Sequence, residues 1–172
     1  MASVQMTSLD PEHREILERH LSDTPIRLGE IARELGIAVT MSGLPMGISG
    51  QIKKEGNQYV IRVNRDESFE RQRFTIAHEL AHYFLHRDFI EHSPDGIQEG
   101  VLYRARVPGQ NKRETIRLAF SILLPAELIR REFSKLKSQV PEGELSEQMA
   151  ANFQVSHSLM KAYLKKLKFL RA

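Results

Sequence analysis

The sequence predicts an α+β fold: a small, mostly antiparallel sheet packed on a helix bearing H-E-x-x-H, with a helical C-terminal part. Two observations carry this. The stretch "GQIKKEGNQYVIRVN" is two short strand-like runs around a turn at Glu55, Gly56 and Asn57, and in the second run Tyr59, Ile61 and Val63 alternate with Val60 and Arg62. In "RFTIAHELAHYFLH", at 100° per residue, Phe74, Ala77, Leu80, Ala81, Phe84 and Leu85 form one broad apolar stripe.

The elements follow in order. "SLDPEHREILERHL" is a helix with Asp10 as N-cap and Pro11 at its first position, and "TPIRLGEIARELG" is a second that Gly36 ends. "IAVTM" is strand-like, which with the hairpin makes about three strands. "MSGLPMGISG" connects them. The motif helix runs from about Ser68 to His86, and a long loop, "RDFIEHSPDGIQEGVLYRARVPGQ", separates it from a helix "NKRETIRLAFSILL" ended by Pro125. A further helix, "PAELIRREFSKLK", precedes a break at "VPEGE" and two last helices, the second capped by Ser156. A single domain over 1–172 is expected, with a catalytic core at 1–137 and a helical subdomain at 145–172 that resembles a helix-turn-helix.

Composition narrows the chemistry. With 41% apolar and 27% charged residues the chain is an ordinary globular one, and it contains no Cys, which excludes disulfides, thiolate metal sites and a thiol nucleophile. Any metal must sit on His and carboxylates. The start has no cationic region before an apolar run, and no apolar stretch approaches the roughly 20 residues of a membrane helix, so a cytoplasmic protein without a membrane partner is expected. The net charge of +3 is too small to announce nucleic acid, although Lys161, Lys165, Lys166, Lys168 and Arg171 crowd the tail without an acidic residue.

His78 and His82 stand four apart, so their rings share a helix face and can reach one ion about 2.1 Å from each nitrogen. Glu79, one residue on, swings toward the open position of that ion, where a carboxylate can move protons between water and a leaving amine. Two imidazoles do not complete a site. His86 is about 12 Å along the axis from His78 and cannot share the ion on a straight helix; a supporting place beside it, or a helix-terminal cation, remains. Glu91, His92 and Glu99 lie on the long loop, where nothing in the sequence sets their direction. Glu114 opens a helix that Ile116, Ala119, Phe120 and Leu123 drive into the core, and a rigid element suits a ligand. Spacing alone leaves Glu114 open between that and an i,i+3 ion pair with Arg117.

"RFTIAHELAHYFLH" and "ETIRLAFSILLP", with the hairpin and more loosely the tail, resemble the ImmA/IrrE family of zinc-dependent endopeptidases. The resemblance implies a zincin-like fold, His78, His82 and Glu114 as metal ligands and Glu79 as general base. It implies Zn2+ as cofactor, with Mn2+ or Fe2+ compatible with two His and one carboxylate. It implies a protein substrate, a helix-turn-helix transcriptional repressor, cut in a regulatory or stress response. The second signature departs from the family at Ile116, where Asn or Asp is usual, and at Leu118 and Phe120. An edge strand of the sheet is expected to align the substrate by strand addition, and Tyr103 and Arg104 are candidates to face the oxyanion. The rival reading is a DNA- or partner-binding regulator that keeps the fold but not the catalysis. Oligomeric state and substrate identity are not written in the sequence.

Overall fold

The computed structural model describes residues 4–100 and 112–170. Eight helices and four strands are found among them: α1 (Val4–Thr7), α2 (Pro11–His20), α3 (Leu28–Glu34), β1 (Ile37–Ser42), β2 (Gly50–Glu55), β3 (Gln58–Asn64), α4 (Phe69–His92), β4 (Ile97–Glu99), α5 (Lys112–Leu123), α6 (Ala126–Leu136), α7 (Glu142–Phe153) and α8 (His157–Lys166). The α+β class expected from the sequence is the one observed, and the three expected strands lie where the alternation put them.

The sheet has the order β1-β3-β2-β4, with β1 parallel to β3 and the other two pairings antiparallel. Gly56 takes φ +58°, which a tight hairpin between Glu55 and Gln58 requires and an L side chain resists. Two differences from the sequence reading matter for the site. The motif helix does not stop at His86: it bends there, where φ −135° and ψ 27° leave the helical region, and continues to His92. What read as an unbroken loop also contains β4, a three-residue strand too short to show alternation.

Register fixes which side chains meet α4. Ile52 stands opposite Ile61 on one side and Ile97 on the other, and all three are buried. One step along the same face, Gly50 stands between Val63 and Glu99. Side chains two apart share a sheet face, so anchoring Ile97 in the core turns Glu99 toward the motif helix. Ser68 caps α4 by accepting from the Arg71 amide at 3.3 Å. From Arg73 to Tyr83 only Phe74 escapes full burial, because the sheet covers one side and α5 another.

The core is continuous into the C-terminal helices: Met149, Phe153, Met160 and Leu164 join the same apolar cluster as Leu80 and Ile122. Phe120 of α5 stacks on Tyr163 of α8 with centroids 5.7 Å apart. Ser156 caps α8 through the Leu159 amide, as its place in the sequence implies.

Gly50 is the closest approach of sheet to helix. A Cβ there would press into the Thr75 methyl and come 3.1 Å from Glu79 Oε1. Gly50→Ala should therefore cost about 1–3 kcal/mol, the usual effect of overpacking. Urea unfolding measures it, and a cost below a few tenths would mean that the helix and β2 are not held this closely.

Candidate metal centre

α4 carries His78 and His82 with their Nε2 atoms 3.1 Å apart and their ring centroids 4.8 Å apart. Neither ring faces water: His78 is 6% exposed and His82 1%. Burial, with His78 and His86 adding smaller effects, holds His82 well below the usual imidazole range, so it is neutral and has a lone pair to give. His82 Nδ1 lies 3.1 Å from His86 Nδ1. If the Nε2 lone pair is to face an ion, the Nδ1 proton must be donated to His86, so His86 sets the tautomer of His82. His86 thus stands beside the histidine pair, within hydrogen-bond distance of His82.

Glu79 is fully buried, and neither carboxylate oxygen has a hydrogen-bond partner among the described residues. Its proton affinity is raised well above the carboxylate range, first by desolvation and then by the charge of Glu99. A structural carboxylate in such a place would be paired. One that works on protons at a site admitting water and substrate would not.

Of the three loop candidates for a third ligand, one arrives. Glu91 lies on the last turns of α4, bonded to the Tyr59 hydroxyl and 3.7 Å from Lys54 Nζ, and the His92 ring turns back to the Asp88 carbonyl at 2.7 Å. Glu99, carried inward by β4, brings Oε2 to 3.5 Å from His78 Nε2 and 4.0 Å from His82 Nε2. Among the described residues, His78, His82 and Glu99 are the trio of ligand types whose donor atoms lie within 4.8 Å of one another. The separations of 3.1, 3.5 and 4.0 Å among these atoms are near the roughly 3.4 Å left between tetrahedral donors about 2.1 Å from one divalent ion. The donor set and the unpartnered, buried Glu79 together fit a metal centre.

Glu114 opens α5, half-buried, and is not in that trio. It lines a cleft of about 700 Å³ with His86, and its charge raises the proton affinity of His86 against the lowering by burial. Ile116, two residues on, is 40% exposed, while Leu118 is buried and Phe120 half-buried. Tyr103 and Arg104 fall outside the described residues. Gly50 was not singled out from the sequence. Its only signal there is a glycine opening a strand, two residues before a buried Ile52.

Residues 32–165 match the family model described as the IrrE N-terminal-like domain, Peptidase_M78. The chain belongs to this family. A 37-residue stretch, 22% of the chain, is 51% identical to metallopeptidase ImmA of Bacillus subtilis (strain 168) and covers 21% of that protein. The fold is also similar to that of a solved Mycobacterium tuberculosis transcriptional regulator, with a TM-score of 0.51 and 17% identity, over 86% of this chain and 43% of that one. The chain thus spans less than half the length of either relative. Membership makes this a domain of the metallopeptidase type, and its His-His-Glu cluster is consistent with a metal ion. No helix among the described residues is long and apolar enough to cross a membrane.

The state of Glu79 has a measurable consequence in the metal-free domain. Above the ordinary carboxylate range an unfolded chain gives up this proton while the folded one keeps it, so the folded state binds more protons and its stability falls as pH rises. Glu79→Gln, which has no such proton, should be more stable than the parent, by a margin that grows from about pH 5 to about pH 8. Thermal unfolding in a chelating buffer at both pH values checks this; a constant margin would show that Glu79 is not held protonated.

Proposed function

We propose that the domain is a metal-dependent endopeptidase that cleaves a partner protein, a helix-turn-helix transcriptional repressor, in the cytoplasm. The observation that carries this reading is the dry, unpaired Glu79 beside two imidazoles whose Nε2 atoms converge to 3.1 Å. His78 and His82 would hold a divalent ion, and Zn2+ suits them, with Mn2+ or Fe2+ as other occupants of a His and carboxylate site. Glu114 is proposed as the third ligand, supported by the likeness of its helix to the second family signature and by the rigid packing of α5 along α4.

A divalent ion there supplies a Lewis acid that polarises the scissile carbonyl and acidifies water. Glu79 takes the proton of the attacking water on a carboxylate oxygen and delivers it to the departing amine. Its dry surroundings suit both transfers, because they raise its proton affinity and keep bulk water from competing for the proton. His86 keeps the His82 ring oriented by accepting from Nδ1. Gly50 leaves the space in which the Glu79 carboxylate lies.

Glu79→Gln should retain bound metal and lose cleavage of a co-expressed repressor, by about 10²-fold or more; equal cleavage by the variant would sink the enzyme reading. Metal content measured on purified Glu114→Ala should fall, and an unchanged content would remove Glu114 from the ligands.

A second reading rests on α8 and the turn after it, where Lys161, Lys165 and Lys166 of the helix and Lys168 beyond its end are all exposed while Met160 and Leu164 are buried. If this face binds DNA, a gel shift by the domain alone should weaken steeply with salt, losing roughly one decade per decade of salt for each phosphate contact. No shift at low salt leaves the lysines as a solvated face.

A further inference from the structure

The inward turn of Glu99 and the place of β4 on the sheet point to a second role for this segment, one that rests on the metallopeptidase reading above. We propose that Glu99 is a ligand the chain supplies to its own metal centre. With β4 seated on β2, its carboxylate fills the position that water and the substrate carbonyl need, and the centre rests closed.

Three observations carry it. The Glu99 oxygen lies 3.5 and 4.0 Å from the two Nε2 atoms, yet its side chain is 33% exposed, so it reaches the site from the rim. The edge of β2 from Gly50 to Ile52, where an extended substrate would add as a strand, is already paired with Glu99, Gln98 and Ile97. The segment is also fitted closely. A Cβ on Gly96 would run into the Ile52 carbonyl oxygen and one on Gly100 into the Gly47 carbonyl oxygen, while the Ser49 amide donates to the Glu99 carbonyl at 2.8 Å.

A centre whose positions are all taken by protein is a structural one, whereas a catalytic centre keeps one position open. Withdrawal of β4 frees the ion's open position and the β2 edge in a single movement, so substrate alignment and activation are coupled. A three-residue strand is a small unit to detach. Glu99 and β4 act here as an internal substitute for substrate.

The test uses the full chain loaded with Co2+, whose visible spectrum reports coordination, and acetohydroxamic acid, a small bidentate metal ligand, as probe. Glu99→Gln should keep its Co2+, change the spectrum and bind the hydroxamate about tenfold more tightly or better, as expected when a position occupied about nine-tenths of the time is released. Gly100→Ala, which unseats the end of β4 without touching the carboxylate, should do the same. Equal hydroxamate affinity in Glu99→Gln and the parent overturns the proposal. So does loss of Co2+ in Glu99→Gln, which would make Glu99 an indispensable ligand rather than a displaceable one. An increase in Glu99→Gln that Gly100→Ala does not share overturns the role given to the strand. If the parent takes up no Co2+, or His78→Ala takes up as much, the metallopeptidase reading beneath the proposal fails as well.

Discussion

The structure depends on keeping two imidazoles and a carboxylate in a dry interior on one helix. His78, Glu79 and His82 are all buried, and for such groups desolvation costs several kcal/mol unless partners offset it. The surrounding elements are arranged around that cost. The sheet closes one side of α4, α5 closes another, and the apolar residues Ala77, Leu80 and Ala81 anchor the helix from behind. The two alanines are small, and Gly50 has no side chain, so the backbone of neighbouring elements comes close and water has little room.

Dryness also sets the electrostatics. In a medium of low effective dielectric, neighbouring charges act strongly, and the same burial that holds His82 neutral raises the proton affinity of Glu79. A neutral imidazole and a carboxyl group with high proton affinity are the states a ligand and a proton carrier need. α4 leaves helical geometry at His86, whose Nδ1 lies 3.1 Å from His82 Nδ1. His86, a third histidine one turn beyond the motif, thereby stands where it can accept the His82 Nδ1 proton and leave Nε2 free.

Much of this was legible in the residues. The hairpin strands show in the alternation of Tyr59, Ile61 and Val63, and the helix starts show in Asp10, Ser68 and Ser156, because both signals are local. The i,i+4 spacing of His78 and His82 fixes their common face for the same reason. The carboxylate that reaches the two histidines was another matter. Glu99 was visible as one of several loop candidates, but its direction depends on β4, a strand of three residues that exists only because β2 is there to pair with it. Glu91 and His92 looked equivalent to it in sequence, and their partners, Tyr59 and Lys54 for one and the Asp88 carbonyl for the other, are set by where α4 ends rather than by their own neighbours in the chain.

The sequence by itself determined the α+β class, the order of most elements, the common face of His78 and His82 on α4 and, through the absence of cysteine, the donor types available. Those follow from periodicity, capping and composition, which act within a few residues. Tertiary structure decided which carboxylate reaches the two histidines, how dry Glu79 is, and that the β2 edge is occupied by the chain's own β4. Each of these is a distance or an exposure between segments remote in sequence, set by the register of Gly50 against Glu99 and by the burial of Ile97, and no local pattern encodes it.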